Sequence, residues 1–325
     1  MKSQKSMIFE NLKTSFSSKT LILLTILAIM LAGCQQEGQT VTLSQPFLGG
    51  TQGITFDFSE FRAEVFDAGT DPFDIVLKIE NTGEADIQRD KIRVALSGIN
   101  PLEFSTTDNQ MTTSPIEDII GTKKDMVGNV QPGPAVFVEF KNLNHNGKII
   151  GAQIDYPIRA DICYLYNTQV VSKLCMRKNI LTQQEGICNI NEDKPVFNSG
   201  APIQITKLSE SARAKDKIGF TFEIRNMGTG EVFERGTVCD RMTRKNKDRL
   251  FVRVETNTPG LTCTGLDAKG TYAEGFTTLF DGVKTITCTQ PVLTGTDYEQ
   301  VIGIEAHYDY NEFKQTKITV KNVGE

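Results

Sequence analysis

Cysteine is the residue type with the clearest chemistry in this 325-residue chain, and Cys34 stands apart from the other six. It ends the segment Leu-Ala-Gly-Cys, in which small residues precede a cysteine. Before it come Lys2, Lys5, Lys13 and Lys19, then an apolar run of 13 residues from Leu21 to Gly33. A basic start followed by an apolar run too short to span a bilayer is typical of a signal peptide. We therefore predict that residues 1–33 are cleaved and that a lipid is attached to Cys34. The alternative is an uncleaved anchor or ordinary signal cleavage, with Cys34 incidental.

The other six cysteines form an even set in a chain expected to be exported, where disulfides persist. They are Cys163, Cys175, Cys188, Cys239, Cys263 and Cys288. A zinc site is the rival reading, but the chain has no Cys-x-x-Cys pair and only two histidines. We predict three disulfides, no metal and no cofactor. The predicted pairs are Cys163–Cys175 across a hairpin, Cys263–Cys288 from their shared Thr-Cys-Thr contexts, and Cys188–Cys239 from the two that remain.

Residues suited to catalysis are sparse. His145 lies in the polar segment NLNHNGK, where we expect a solvated loop, and His307 lies in a predicted strand, where we expect a packing or edge residue. No Gly-x-Ser-x-Gly segment is present, so a serine hydrolase is not indicated. Paired carboxylates that meet only in space remain open. We predict no catalytic residues and no enzyme activity.

A basic cluster interrupts an otherwise acidic chain. Residues 1–33 hold four lysines and one glutamate, which leaves 31 basic and 39 acidic residues in the mature chain, a net charge of −8. Such a charge disfavours nucleic acid as a partner. The cluster comprises Arg241, Arg244, Lys245, Lys247 and Arg249. It indicates either contact with an acidic partner, a polyanion or a lipid headgroup, or a solvated loop that protects a sheet edge from aggregation.

The elements that must position these residues are strands. In FDIVLKIE, Phe73, Ile75, Leu77 and Ile79 alternate with mostly polar residues, which places one face inward and the other in water. Many such short runs separated by Gly, Asn, Asp and Pro predict an all-β sandwich.

The strand pattern occurs twice. Ile79, Asn81 and Gly83 correspond to Ile224, Asn226 and Gly228 at an offset of 145 residues. Tyr164, Tyr166, Asn167 and Lys173 correspond to Tyr308, Tyr310, Asn311 and Lys317 at an offset of 144. Two separated anchors with nearly one offset indicate a duplicated domain. We expect the tyrosines to serve packing.

One stretch of the first copy, from Asn100 to Pro134, has no counterpart in the second. Within it, SPIEDIIG predicts a short helix with Ser114 as N-cap and Gly121 as the stop. This excursion is either a binding element or a lid over the edge of the core.

The predicted organisation has four parts. They are a signal peptide (1–33), a lipidated cysteine with a polar tether (34–48), a first β-sandwich (49–196) and a second (197–325). The segment from Cys188 to Gly200 is rich in Asn and turn formers and is the predicted linker.

The strand-Asn-x-Gly turn of Ile75–Gly83 and the turn and strand of Pro132–Phe140 resemble CARDB-type and related immunoglobulin-like modules of prokaryotic surface proteins. The second copy keeps Phe222–Gly228 but lacks a clear proline-glycine turn. With the lipidation motif and the paired domains, the whole chain resembles uncharacterised surface lipoproteins of archaea. The resemblance implies two tandem immunoglobulin-like sandwiches in an extracellular setting, and no activity.

These observations together predict a protein anchored by lipid to the outer face of the cell membrane. It would bind an unknown protein or surface polymer, or serve the envelope structurally. The alternative is an extracellular accessory subunit of a membrane transport or secretion complex.

Overall fold

The computed structural model describes residues 45–125, 127–181, 186–292 and 294–324. The predicted signal peptide, Cys34 and the tether up to residue 44 lie outside the described residues. No helix within the described ranges is long and apolar enough to cross a membrane.

The protein is all-β, as the alternating pattern predicts. Within the described ranges, the first half contains nine strands: β1 (Ile54–Ser59), β2 (Glu64–Phe66), β3 (Phe73–Asn81), β4 (Ile92–Ser97), β5 (Thr112–Thr113), β6 (Lys123–Lys124), β7 (Val130–Gln131), β8 (Val136–Leu143) and β9 (Gln153–Met176). The linker contributes β10 (Glu192–Asp193) and β11 (Phe197–Asn198). The described residues of the second half also form nine strands: β12 (Ile203–Ala214), β13 (Lys217–Asn226), β14 (Glu231–Phe233), β15 (Arg249–Glu255), β16 (Thr262–Cys263), β17 (Asp267–Ala268), β18 (Tyr272–Thr278), β19 (Val283–Pro291) and β20 (Tyr298–Lys321). Short 3₁₀ helices occur at Arg89–Lys91, Asp108–Met111 and Arg244–Asn246.

Three main sheets build two immunoglobulin-like sandwiches. The first outer sheet has the order β1-β3-β8, and the second outer sheet has the order β10-β12-β13-β19-β16. Among the described residues, the shared sheet has ten strands. Seven follow the order β17-β18-β15-β20-β9-β4-β5, while β2 and β14 pair with β20 and β11 pairs with β9. A separate hairpin joins β6 to β7. The two halves therefore have outer sheets of their own and a sheet in common.

The shared sheet is held together by β9 and β20, each 24 residues long, which pair antiparallel along their whole length. At about 3.3 Å per residue, this ladder is roughly 75 to 80 Å long. Ordinary strands have 3 to 10 residues. The predicted boundary between residues 196 and 197 is crossed by this ladder, and β11 of the linker pairs with β9 of the first half.

The core is continuous through both sandwiches. Ile75, Leu77 and Ile79 of β3 are fully buried, and they belong to one cluster with the inward residues of β9, β13 and β20. The period of two read from the sequence is thus the period of burial.

The two halves are related by a pseudo-twofold axis. Tyr164 faces Tyr310 across the β9–β20 ladder, and Tyr166 faces Tyr308. Because the repeat makes Tyr164 equivalent to Tyr308 and Tyr166 equivalent to Tyr310, exchanging the halves maps one pair onto the other. The axis passes through the pair formed by Leu165 and Asp309.

The helix predicted from Ser114 to Gly121 is wrong. The hydroxyl of Ser114 donates to the carbonyl oxygen of Ile92 at 2.7 Å instead of capping a helix. Ile119 is fully buried and forms an isolated bridge with Ile87, whose backbone it bonds in both directions at 2.8 and 2.9 Å. Burial of one isoleucine through extended pairing outweighs the local helix signals here.

Candidate functional site

The centre of the molecule is a group of four tyrosines, Tyr164, Tyr166, Tyr308 and Tyr310, which we call the tyrosine quartet. Neighbouring rings in the quartet lie 5.5 to 6.5 Å apart in edge-to-face or tilted contact, a favourable geometry for aromatic pairs. All four side chains are buried, and burial raises the pKa of every hydroxyl. The quartet therefore packs the core, as expected from the sequence.

Each Asn-x-Gly turn is fastened to the quartet by the same hydrogen bonds. Asn81 donates to the carbonyl of Ala85 and accepts from the amide of Gly83 and the hydroxyl of Tyr166. Asn226 bonds in the same way to Gly230, Gly228 and Tyr310. The equivalence of Asn81 and Asn226 read from the sequence is thus present in the structure.

The two remaining quartet hydroxyls reveal an asymmetry. Tyr164 accepts a bond from the amide of Ile54, and Tyr308 accepts one from the amide of Ile203. Tyr308 also bonds to Thr168 at 3.1 Å, whereas the repeat counterpart of Thr168, at the offset of 144, is Glu312, which lies on the side of Tyr164. Burial raises the pKa of Glu312 to about 7. At positions related by the pseudo-twofold axis, the first half therefore has Thr168 and the second half has the acidic residue Glu312.

All six described cysteines are in disulfides, but only one predicted pairing is right. Cys263 pairs with Cys288 as predicted. The other bonds are Cys163–Cys239 and Cys175–Cys188, so the predicted pairs Cys163–Cys175 and Cys188–Cys239 are wrong. Cys163 and Cys175 lie on one continuous strand, 12 residues and roughly 40 Å apart, and no hairpin separates them.

The Cys163–Cys239 bond joins the first half to a loop of the second. Next to it, the buried carboxylate of Asp309 accepts the backbone amides of Gly236 and Val238 at 3.0 and 2.6 Å. Burial raises the pKa of Asp309, and the amides oppose the shift. The loop is thus fixed to the shared sheet by a covalent bond and by a carboxylate. The predicted covalent link between the halves exists, but with a different partner.

The predicted basic cluster is largely neutralised. Arg241 and Lys247 both pair with Glu231, at 2.8 and 2.7 Å, and Arg249 pairs with Glu234 at 2.6 Å. Arg244 and Lys245 are exposed and have no ion pair within the described part of the chain. Within the described part of the chain, two cations of the cluster, and not five, therefore remain to offer positive charge to a partner.

A polar cavity of about 500 Å³ lies between the basic cluster and the outward face of β4 and β9. Its walls include Arg93, Asp161, Asn311 and the Cys163–Cys239 bond. Asp161 is paired with Arg159 at 2.7 Å, and it also approaches Arg241 at 3.5 Å. Opposite charges already compensate each other in this cavity.

Both histidines pack against aromatic rings. His145 is 3% exposed, so the expected solvated loop is wrong. It bonds to the hydroxyl of Tyr156 at 3.1 Å and packs against Phe104. His307 packs against Phe251 and lies 3.2 Å from Glu305, in line with the expected packing role. Across the described ranges, no group of three or more potential ligands could hold a metal ion.

Comparison with known proteins finds no matching protein family and no matching curated protein. Among solved structures, similarity is found to alpha-2-macroglobulin of Escherichia coli, at 11% identity and a TM-score of 0.14 over 85% of this chain. This chain spans 22% of that one. The serine-rich repeat adhesion glycoprotein Srr1 of Streptococcus agalactiae matches at 9% identity and a TM-score of 0.17, with coverage of 81% of this chain and 91% of the other. An N-terminal region of enterococcal surface protein matches at 8% identity and 0.15, over 88% and 98% of the chains. Likeness at these scores carries no functional argument.

Proposed function

We propose that the protein is a non-catalytic binding or structural module of the cell surface, held to the membrane by a lipid on Cys34. The observation that carries this proposal is the state of the cysteines. Six form disulfides, which persist in oxidising compartments outside the cytosol. The seventh, Cys34, follows the small residues of a lipidation motif.

The architecture supports a role in presentation or binding. The β9–β20 ladder, the tyrosine quartet and the Cys163–Cys239 bond all join the halves, so hinge motion between them is disfavoured. A stiff unit of two sandwiches on a polar tether suits a protein that presents a binding surface beyond the membrane. Both histidines and all four quartet hydroxyls are occupied in packing, which favours binding over catalysis.

Membrane partitioning tests the anchor. Wild-type protein expressed in a host with lipoprotein processing should enter the membrane fraction, and detergent should release it. Cys34→Ser should appear in the soluble fraction or as an unprocessed precursor, while Gln39→Ser in the tether should behave as wild type. A soluble wild-type protein whose N-terminus lies elsewhere and is unmodified would overturn the proposal.

A further inference from the structure

Strand β20 is not paired along its whole length on the side that faces away from β9. On the side of β20 that faces away from β9, β15 pairs with residues 303–307, β14 with Asp309–Asn311, and β2 with Thr319–Lys321. Among the described residues, no strand pairs with residues 312–318 on this side. We call this stretch the β20 gap. At about 3.3 Å per residue it is roughly 23 Å long, enough for an added strand of about five residues.

The β20 gap presents backbone groups ready for pairing. The amide of Thr319 points away from β9, since it donates to the carbonyl of Ala63 at 2.8 Å. Successive residues of a strand alternate in direction, so Phe313, Gln315 and Lys317 direct their amides and carbonyls outward as well. All three side chains are exposed.

The same place in the other half is filled. The repeat offset of 144 relates residues 312–318 to residues 168–174 of β9. There, β11 pairs with Val170 and Val171, and the amide of Ser199 donates to the carbonyl of Gln169 at 2.8 Å. The hydroxyl of Ser172 bonds to the carbonyl of Pro195. The linker thus supplies a strand to the first half that nothing supplies to the second.

Two glycines explain why the strand position beside β9 is filled and the corresponding position beside β20 is not. The segment Pro46–Ile54 is the repeat counterpart of Pro195–Ile203, at an offset of 149. Gly49 and Gly50 have φ values of +79° and +106°, a backbone that side chains disfavour, and they turn the segment aside. The amide of Gly49 then donates to Glu84 at 3.0 Å, and the carbonyl of Gly50 accepts from Ala201 at 3.2 Å. The chain therefore leaves its own β20 gap empty of the strand that symmetry predicts.

The surroundings of the gap specify the occupant. Lys314 pairs with Asp57 and Lys317 with Asp155, both at 2.7 Å, so the charges at the rim are balanced. Phe313 is 51% exposed and Met227 is 46% exposed beside a cavity of about 320 Å³. An uncharged, extended segment with apolar side chains matches these features better than a polyanion.

We propose that the β20 gap binds an extended, uncharged peptide segment of a partner protein, which adds a strand between β14 and β2. Main-chain bonds to a sheet edge supply affinity in this mode of recognition, and pockets for alternate side chains supply selectivity. The linker strand in the first half is the internal precedent. This inference rests on the proposed binding role and names its mode.

The test uses the full chain carrying Cys34→Ser, and the probe is the acetylated and amidated peptide Pro-Val-Phe-Asn-Ser-Gly, which copies residues 195–200. Saturable binding is expected, with at least tenfold slower hydrogen exchange at the amides of Phe313, Gln315 and Lys317. Gln315→Pro removes one outward amide and should weaken binding at least tenfold. Gln315→Ala keeps that amide and should bind as wild type.

Peptides methylated at alternate backbone nitrogens provide a test that does not depend on folding of the proline variant. One alternating set should lose binding at least tenfold and the other should retain it. Equal effects of both sets, no binding, or protection elsewhere would overturn the proposal. Slow exchange of the three amides without peptide would also overturn it. If the three amides then exchange fast after the protein is diluted, a second copy of the chain occupies the gap. If their exchange stays slow on dilution, another segment of the same chain occupies it. Because this chain carries no lipid, failure here leaves the membrane experiment untouched.

Discussion

A buried ion pair fastens the linker to the second half, and removing its cation should have a pH-dependent cost. Lys194 and Glu210 have side chains only 2% and 0% exposed, and their charged atoms lie 3.0 Å apart. The carboxylate of Glu210 also accepts the amide of Cys175 through both oxygens, at 3.1 and 2.9 Å. Lys194 further donates to the carbonyl of Asn189 and pairs with Glu192 at 2.7 Å.

Lys194→Met keeps the length and apolar stem of the side chain and deletes the charge. At pH 8 the wild-type carboxylate is ionised beside its cation, whereas loss of Lys194 raises the pKa of Glu210 further and keeps the buried carboxyl protonated. Because pH 8 lies one unit above the wild-type pKa of about 7, the variant should lose about 2.5 kcal/mol of the free energy of unfolding, of which about 1.4 kcal/mol depends on pH. At pH 5.5 the carboxyl is protonated, and the cost should fall to about 1 kcal/mol, the scale of one hydrogen bond.

The pKa of Glu210 determines the pH range over which the stability of the protein changes. Burial raises it from its ordinary value of 4.5 to about 7, against the opposing effect of Lys194. A carboxyl whose pKa is raised in the folded state contributes stability in acid, and that contribution is lost as the pH rises from about 4.5 to about 7. The full loss is roughly 3 kcal/mol, at 1.36 kcal/mol per pKa unit. Glu312 acts in the same direction, so the contribution of Glu210 is read as the difference between wild type and Glu210→Gln.

Denaturant unfolding followed by tyrosine fluorescence and circular dichroism measures these quantities, since the chain has no tryptophan and seven tyrosines. Lys78→Met is the control, because Lys78 and its partner Glu80 are 42% and 47% exposed and such pairs contribute under 1 kcal/mol. The reasoning fails if Lys194→Met costs the same at pH 5.5 and pH 8, or no more than Lys78→Met at pH 8.

Three further changes test the repeat, the link between the halves and the close packing of a turn. Asn81→Ala and Asn226→Ala each delete three hydrogen bonds and should each lower the unfolding free energy by about 2–3 kcal/mol; costs that differ more than twofold would contradict their equivalence. The double variant Cys163→Ala with Cys239→Ala opens a loop with a separation of 76 residues, which corresponds to about 4 kcal/mol on the chain-entropy estimate; a loss below 1 kcal/mol in denaturant unfolding would refute that role. Gly228→Ala places a Cβ 2.3 Å from a buried tyrosine hydroxyl, so a fall in Tm of several degrees is expected by calorimetry, and an unchanged Tm would speak against the packing described.

The sequence predicts the strands and the repeat because both depend on local patterns. Burial of Ile75, Leu77 and Ile79 follows directly from their alternation, and the Asn-x-Gly turns recur because each needs the same bonds to a tyrosine. Such features are visible within ten residues of sequence.

Features that depend on distant pairing are not visible in this way. The continuity of β9 decides the disulfides, because it places Cys163 beside the second half and Cys175 beside the linker. No residue pattern near Cys163 in the sequence indicates that Cys239, 76 residues away, is its disulfide partner. In the same way, the capping signals at Ser114 could not reveal that the neighbouring Ile119 would be buried against Ile87. The acids that neutralise the basic cluster, Glu231 and Glu234, lie 10 to 16 residues before the cations they pair with, so this neutralisation is a local feature of the sequence.

The long ladder also sets the order in which the chain can fold. Its nearest partners, Met176 and Tyr298, are 122 residues apart, and its farthest, Gln153 and Lys321, are 168 apart. A chain that arrives N-terminus first in the compartment where its disulfides form therefore leaves β9 without its main neighbour until β20 follows. In that interval the first sandwich carries an open edge and a free thiol at Cys163, while Cys175 and Cys188, 13 residues apart, can already join. Completion of the shared sheet thus depends on pairing between residues more than 120 positions apart, and non-local pairing of this kind forms slowly.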